Sequence, residues 1–440
     1  MIIDDLDELD ILLSCVKDKK TLLVPILSDH QIHPSINNIS CIYIYTEDGL
    51  ERIVPIQHTE QIQGFSEHLS RFFALESIFV HDKKVWLQMG GNDSVFDVKT
   101  LWWYTYGSAY DESHYPTESH RFYWRRHSSL NHVNAVIPIM QHLAMCQKIR
   151  KYAWPMIINS KPTTSYNQFN KLYPKLFAEI ESNGLQINSG FKMPHLIKNG
   201  RVYSQYNYHT TTGRPSNAFR GFNYAAMNKV DGTRDAFCSR YENGALVEMD
   251  FDAYHVRLIA RLVGYELPTG SVHTYFGKQY FGIEELTSEQ YEKSKQITFR
   301  LLYGGIDKEF LNIPFFKEVN DWIWNLWNEW KNNGYVETPV ERRILSSENL
   351  KGMTVNKLFN YYLQALETEF SVRKLTQIQA LIKDTDTYLI LYTYDSVLFD
   401  VPVTEAKVIL PKIKALLESG DFPVKCKVGN IYSKMNNIML

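Results

Sequence analysis

The stretch from Leu246 to Leu262, LVEMDFDAYHVRLIARL, limits the fold more than any other part of the chain. It begins as an apolar strand that ends in an acid, Asp250, and it runs on into a helix past Asp252. A second apolar segment, TYLILYTYDSVLFDV at 387–401, has the pattern of a β-hairpin with Asp395 at or near its tip. Acids at strand ends can converge on one edge of a sheet, and two such carboxylates can hold two Mg²⁺ ions about 3.5–4 Å apart.

A helical segment, YEKSKQITFRLLYGG at 291–305, supplies a complementary set of side chains. Lys295, Phe299 and Tyr303 are spaced i, i+4, i+8 and therefore share one face of the helix. A Lys neutralises phosphates and an aromatic ring packs against a base or sugar, so this face suits a nucleoside triphosphate. Taken singly, each feature is more often structural, because a strand-end Asp is usually a turn or cap residue.

Composition excludes several classes of protein. Lys plus Arg number 47 against 49 Asp plus Glu, so any DNA-binding surface must be a local concentration of positive charge. The five cysteines are scattered without zinc spacing and indicate reduced thiols inside a cell. The acidic start MIIDDLDELD is unlike a signal peptide, and no apolar run approaches the roughly 18 residues of a membrane span. These patterns predict a cytoplasmic protein, in the host cytoplasm if it is viral, without a membrane partner.

The N-terminal part has a different pattern. Three strands are predicted at 21–27, 40–48 and 50–56, followed by alternation of helix and strand up to residue 107. This order is typical of a ribonuclease-H-like α/β sheet.

The order of the motifs resembles the polymerase domain of the DNA polymerase I family from about residue 172 to the C-terminus. DFDAYHVRLIA resembles the first palm motif, KQITFRLLYGG the fingers motif K-x-x-x-F-x-x-x-Y-G, and YDS the third motif, normally His-Asp-Glu. Five further segments match in order: LFAEIESNGLQIN, TTTGRPS, GYVETPVERR, NYYLQ and KVGNIY. Eight matches in the right order make coincidence implausible.

The resemblance implies roles for individual residues. It implies two Mg²⁺ ions at Asp250, Phe251 and Asp395, with Lys295 as a further catalytic residue. The implied nucleotide-binding residues are Lys295, Phe299, Tyr303 and His255, and Arg234 is a further nucleotide-binding candidate that could share the work of a fingers Arg that this chain lacks. The implied DNA-binding residues are Thr212, Arg214, Arg342, Asn360, Gln364 and Tyr394.

The chain also departs from the family pattern. The Arg at the start of the fingers helix is replaced by Tyr291, and the Glu that packs under the sugar and excludes ribonucleotides is replaced by His255. Only residues 189–205 stand where the family has a long helical thumb. In the N-terminal part, Pro25 and Leu27 occupy the places of the acids of a 3′–5′ exonuclease. Both Asp residues needed for metal are retained.

The fold expected is a multidomain α/β and α+β protein, a right-hand polymerase preceded by a ribonuclease-H-like, 3′–5′ exonuclease-type domain. The predicted boundaries are 1–130 for a degenerate exonuclease-like domain, 131–205 for a helical connector and reduced thumb, and 206–440 for palm and fingers, with the fingers at about 266–335. The expected activity is template-directed, DNA-dependent DNA synthesis by two-metal phosphoryl transfer in phage replication. The partners expected are primer–template DNA and dNTPs, with a processivity factor or helicase–primase as further candidates.

Two alternatives remain open. A single-subunit RNA polymerase shares the Asp, Lys, Tyr and Asp set, although a bulky His255 instead of Gly at the sugar position argues against it. A catalytically inactive, DNA-binding accessory protein is the other, and the retention of both Asp residues argues against that.

Overall fold

The structure, a computed structural model, describes residues 2–29, 32–60, 65–107, 109, 137–160, 163–188, 190–193, 196–217, 223–227, 231–339, 343–345 and 352–440. It divides into two compact units. Unit 1 comprises Met1–Gly184, Tyr203–His209 and Ala218–Phe222, and unit 2 comprises Leu185–Val202, Thr210–Asn217 and Asn223–Leu440. The domain boundaries predicted at residues 130 and 205 stay predictions. Among the described residues, no helix combines the length and the apolar composition needed to cross a membrane.

Unit 1 contains six α-helices and six strands in its described residues. The helices are α1 (Leu6–Val16), α2 (Leu69–Phe73), α3 (Lys83–Gln88), α4 (Val98–Tyr106), α5 (Ile139–Asn159) and α6 (Thr164–Asn183). The strands are β1 (Thr21–Leu27), β2 (Ile39–Thr46), β3 (Glu51–Pro55), β4 (Phe79–Val80), β5 (Phe96–Asp97) and β8 (Tyr206–Asn207). The three strands predicted first from the sequence are confirmed to within a few residues.

The main sheet of unit 1 has the strand order β3-β2-β1-β4-β5. The first three strands are antiparallel, and β4 and β5 run parallel to β1. Side chains of β1 alternate between two cores, as strand geometry requires: Leu23 packs with helix α1, and Leu22 and Val24 pack with α5. Pro25 is tolerated in this inner strand because the β4 ladder reaches only Leu23, so no donor is needed on that side.

A buried glutamate fastens α6 within unit 1. Glu181 is 1% exposed and accepts hydrogen bonds from Lys84 Nζ at 2.7 Å, Gln88 Nε2 at 2.6 Å and the Tyr206 backbone N–H at 2.5 Å. Burial by itself raises the pKa of Glu181, but the Lys84 ammonium and the His33 ring hold it below its usual value. Removal of one partner would leave an uncompensated buried charge, which is costly in a protein interior.

Unit 2 contains the remaining elements of the described residues. Its helices are α7 (Tyr254–Val263), α8 (Val272–Phe281), α9 (Ser288–Gly304), α10 (Pro314–Asn333), α11 (Val355–Ile382) and α12 (Val403–Glu418). Its strands are β6 (Leu185–Gln186), β7 (Arg201–Val202), β9 (Ser216–Asn217), β10 (Gly244–Phe251), β11 (Tyr335–Glu337), β12 (Arg343–Leu345), β13 (Tyr388–Thr393), β14 (Ser396–Pro402), β15 (Val424–Gly429) and β16 (Asn436–Ile438).

An antiparallel sheet with the order β13-β14-β10-β15-β16 forms the base of unit 2. Strand β10, the segment that ends in Asp250, lies at its centre and pairs with both β14 and β15. The 28-residue helix α11 packs against α7, α9, α10 and α12. This central position explains why it buries side chains around its whole circumference. The mixed α/β architecture expected from the sequence is confirmed.

Candidate active site

Strand pairing brings the two predicted acids to one end of the unit 2 sheet. Asp250 is the penultimate residue of β10 and pairs with Ser396 at the start of β14. Asp395 lies in the turn just before that strand, and its carbonyl accepts a hydrogen bond from the Phe251 N–H at 2.9 Å. Adjacent strands are about 4.8 Å apart, so this register places both acids side by side.

Two residues beside the acids have left-handed backbone conformations. Tyr394 precedes Asp395 with a φ of 62°, and Ala253, between β10 and α7, has a φ of 51°. For residues with a side chain this conformation costs of order 1–2 kcal/mol and persists only where the surroundings enforce it. At Tyr394 the Arg214 guanidinium lies over the ring at 3.7 Å from its centroid.

A cavity of about 800 Å³ in unit 2 joins these acids to the other predicted groups. The predicted residues in its lining are Arg214, Asp250, Phe251, His255, Lys295, Phe299, Tyr303, Asn360, Gln364 and Asp395. The volume is within the range of ligand-binding cavities.

Helix α9 presents its predicted face to this cavity. Thr287 caps its N-terminus through a capping box with Gln290, which fixes where the helix begins. The rings of Phe299 and Tyr303 lie nearly parallel, with centroids 6.0 Å apart. Lys295 is 36% exposed, and its Nζ is 3.4 Å from the Glu292 carboxylate. Its ammonium group is therefore available to an anion in the cavity.

Helix α11 and the loop before β9 contribute further lining residues. Asn360 donates a hydrogen bond to the Tyr303 carbonyl at 3.3 Å, and Gln364 lies one turn further along. Thr212 is buried, and its hydroxyl accepts a hydrogen bond from the Arg214 N–H at 3.3 Å. Thr212 thus shapes the loop that carries Arg214 and is not itself part of the lining.

The remaining predicted residues lie elsewhere. Tyr394 supports Arg214 beside the cavity. Arg234 lies outside the lining, because its guanidinium stacks on the Tyr432 ring at 4.5 Å and lies 3.8 Å from the Glu248 carboxylate. Arg342 lies outside the described residues.

Several lining residues had not been assigned a role from the sequence: Asp252, Ala253, Tyr254, His273, Tyr291, Glu367 and Lys425. Glu367 carries a signal that could have revealed it, because Asn360, Gln364 and Glu367 are spaced i, i+4, i+7 on one helical face. No local sequence pattern indicates that Lys425 belongs to the site. It reaches the site only because β15 pairs with β10, which places it opposite Asp250.

The cavity contains both acidic and basic side chains, and its environment shifts the pKa of some of them. Partial desolvation, and then the neighbouring Glu367 carboxylate, raise the pKa of Asp395. Burial lowers the pKa of His273 to about 4, so its ring is neutral at physiological pH. Lys425 hydrogen bonds to Asp252, while Lys295 and Arg214 add further positive charge. The site therefore pairs acids at the sheet end with cations around them, an arrangement suited to a metal-bound polyanion.

This chain is similar in sequence and in fold to known DNA polymerases. No family model matches the chain. It is 21% identical over 264 residues to DNA polymerase I of Lactococcus lactis subsp. lactis, covering 52% of this chain and 30% of that protein. It is also 21% identical over 275 residues to DNA polymerase I of L. lactis subsp. cremoris, covering 54% and 31%. The chain thus spans less than a third of the length of these relatives.

A solved structure matches over nearly the whole chain. The POL domain of Pol1 from M. smegmatis, in complex with DNA primer–template and dNTP, superposes with a TM-score of 0.75 at 13% identity. The match covers 98% of this chain and 99% of that chain. At this identity the match establishes the fold.

Proposed function

We propose that this chain, which is similar in sequence and fold to the family A DNA polymerases, is a template-directed DNA-dependent DNA polymerase. It adds deoxynucleotides to a primer 3′ end by two-metal phosphoryl transfer. One observation carries the proposal: a single cavity holds the two strand-end acids, the Lys295–Phe299–Tyr303 face and the polar groups of Arg214, Asn360 and Gln364.

The donor set at the sheet end fits the implied Mg²⁺ ions. Mg²⁺ prefers oxygen ligands, and Asp250 and Asp395 offer carboxylates from adjacent strands. Partial desolvation and the neighbouring Glu367 carboxylate raise the pKa of Asp395, and a bound cation would offset both effects. We propose that the carboxylates of Asp250 and Asp395, with the main-chain carbonyl of Phe251, would hold the ions, which would stabilise charge on the transferring phosphoryl group.

The other side chains bind and orient the reactants. Lys295 neutralises the triphosphate, and Phe299 and Tyr303 pack against the sugar and base. Arg214, with Tyr394 beneath it, and Asn360 and Gln364 position the primer–template. His255 is 13% exposed and lines the cavity. By the resemblance it replaces the Glu that packs under the sugar, so we propose that its ring excludes ribonucleotides.

Primer extension tests the proposal directly. The purified protein should extend a labelled primer on a DNA template when dNTPs and Mg²⁺ are present, and should use rNTPs poorly. Efficient synthesis from rNTPs would favour an RNA polymerase instead. Binding of primer–template without extension would indicate an inactive DNA-binding protein.

Lys425 is proposed to supply a phosphate contact in place of the missing fingers Arg. Its side chain is 62% exposed, its Nζ hydrogen bonds to Asp252, and its ammonium interacts electrostatically with Tyr291 and Asp250. Tyr291, which replaces that Arg, is near both lysines: the Lys295 Nζ is 5.7 Å from its ring centroid, and it interacts electrostatically with Lys425. A triphosphate entering the cavity can therefore be met by two ammonium groups.

Lys425→Met should raise the KM for dNTPs about tenfold, equivalent to ~1.4 kcal/mol of binding. Lys427→Met is the matched control, since Lys427 lies on the same strand but pairs with Glu248 at 3.4 Å and does not line the cavity. Steady-state kinetics for each dNTP decide the matter. Equal KM values in both variants would exclude the phosphate contact.

Unit 1 is proposed to be a ribonuclease-H-like, exonuclease-type domain without nuclease activity. Its β3-β2-β1-β4-β5 order supports that fold assignment. Pro25 and Leu27 of β1 cannot bind metal through side chains. Two acids near the ends of β4 and β5 cap helices instead: Asp82, just after β4, accepts from the Val85 N–H, and Asp97, the last residue of β5, accepts from the Lys99 N–H.

The wild-type protein should therefore leave a labelled single-stranded oligonucleotide intact in the presence of Mg²⁺. A proofreading polymerase serves as the positive control. Shortening of the strand that disappears in an Asp29→Asn variant would show that this domain retains a nuclease site.

We further propose that this polymerase acts in phage replication and has a reduced thumb. It would then depend on a processivity factor or a helicase–primase. Between β6 and β8 the described residues include β7 but no α-helix of thumb length. A thumb contributes phosphate contacts, and each one lost lowers affinity for DNA. A partner that holds the enzyme on its template would offset that loss.

A further inference from the structure

We propose that Glu367 is a positioning residue for sugar selection, acting through His255. This inference rests on the proposed polymerase function. It concerns a carboxylate on α11 that the motif comparison did not assign, and it rests on contacts that join three elements around the cavity.

Glu367 is the most deeply buried carboxylate of the cavity lining, at 1% exposure. Its Oε2 lies 3.1 Å from His255 Nε2 and 3.3 Å from Arg214 Nε. A buried charge is tolerated only when it is paired, so these two side chains and Glu367 depend on one another for their positions.

The second nitrogen of His255 is also engaged. His255 Nδ1 hydrogen bonds to the Tyr303 hydroxyl on α9. The negative charge of Glu367, 3.1 Å from Nε2, favours the tautomer with its proton on Nε2, which leaves Nδ1 to accept from Tyr303. A partner on one ring nitrogen sets the tautomer and orientation of the ring, and therefore which donor the other nitrogen meets.

These contacts form a continuous chain of side chains. It runs from Tyr303 through His255 and Glu367 to Arg214, which stacks on Tyr394 beside Asp395. The Arg214 guanidinium restrains the Glu367 carboxylate. The Glu367 carboxylate in turn restrains the His255 imidazole. The ring that would meet a 2′-hydroxyl is thus held by side chains of α9 and α11, which are not its own helix.

Glu367→Gln tests this role, because it keeps the volume of the side chain and removes the charge. The preference for dNTP over rNTP, measured as the ratio of kcat/KM values, should fall about tenfold, the order expected for loss of one charge-assisted contact. The kcat for dNTPs should change much less. Glu367→Asp retains the charge at shorter reach and should restore part of the preference.

Glu369→Gln is the matched control. Glu369 lies two residues further along α11, is also buried, accepts a hydrogen bond from the Thr338 hydroxyl at 2.9 Å and does not line the cavity. Its variant should keep the wild-type ratio. Thermal melting of both variants separates a lost contact from a fold that has been weakened.

A double variant shows whether Glu367 acts through His255. In a His255→Ala background, Glu367→Gln should lower the ratio no further, because residues of one network are not additive. Additive effects, or an unchanged ratio in Glu367→Gln, would overturn the inference. So would a raised Mg²⁺ requirement, which would mean that Glu367 binds metal. A wild-type protein that extends no primer would instead overturn the proposed function, and this inference with it.

Discussion

Asp250→Asn and Asp395→Asn should each abolish primer extension while leaving primer–template binding largely intact. The two acids lie side by side because β10 pairs with β14 in the register that sets Asp250 opposite Ser396. An amide keeps the shape of the side chain but loses the charge that holds a divalent ion. Metal-ion stabilisation of the transferring group is worth several kcal/mol, so a loss of about three orders of magnitude in kcat is expected.

Stability measurements make this prediction more specific. The pKa of Asp395 is raised, so the folded state binds its proton more tightly than the unfolded chain does. For an acid with a raised pKa, ionisation destabilises the fold, and stability falls as pH rises from the unfolded value through the folded one. Metal-free Asp395→Asn should therefore be at least as stable as wild type at neutral pH.

An exposed acid of unit 2 provides the control. Asp384 lies on the surface in the turn between α11 and β13, and Asp384→Asn should extend primers as wild type does. Single-turnover extension, filter binding of primer–template and thermal melting would be compared for the three variants. Extension within about tenfold of wild type by either cavity variant would mean that the acids do not hold the catalytic ions.

Phe299→Tyr should remove discrimination against dideoxynucleotides. Phe299 lines the cavity one turn from both Lys295 and Tyr303, and its ring lies 5.6 Å from that of His273. The resemblance places it near the 3′ side of the incoming sugar. A dideoxynucleotide lacks the 3′-hydroxyl that can otherwise bond to its own phosphate, and Phe offers no replacement donor.

The expected size of the discrimination against dideoxynucleotides follows from that missing hydrogen bond. An under-satisfied polar group costs about 1–3 kcal/mol, so the wild type should disfavour dideoxynucleotides by roughly one to two orders of magnitude. The hydroxyl of Tyr can supply the donor, and normal extension should be unharmed. Phe299 is only partly buried, so space for the hydroxyl exists on the cavity side.

Phe310→Tyr is the control for adding a hydroxyl to a partly exposed aromatic of the same unit outside this cavity. Competition between dideoxy- and deoxynucleotides would be measured for wild type and both variants. If Phe299→Tyr lost stability and kept the wild-type ratio, this ring would be a packing residue and the helix face would not line the nucleotide site.

Local features of this protein could be predicted from its sequence. The β13–β14 hairpin, the strand that ends in Asp250 and the shared face of Lys295, Phe299 and Tyr303 all follow from periodicity and turn chemistry over short stretches. The first three strands of unit 1 follow for the same reason. Such patterns depend only on residues close together in the chain, so the sequence alone is enough to predict these elements.

Tertiary structure decided which side chains meet in the cavity. Lys425 faces the acids only through the register of β15 with β10, and a shift of one residue would turn it to the other face of the sheet. Glu367 meets His255 and Arg214 because α11 packs where three segments converge. Arg234 was expected in the cavity but is held by Glu248 and Tyr432. These contacts join residues far apart in the chain, and no local pattern encodes long-range pairing of that kind.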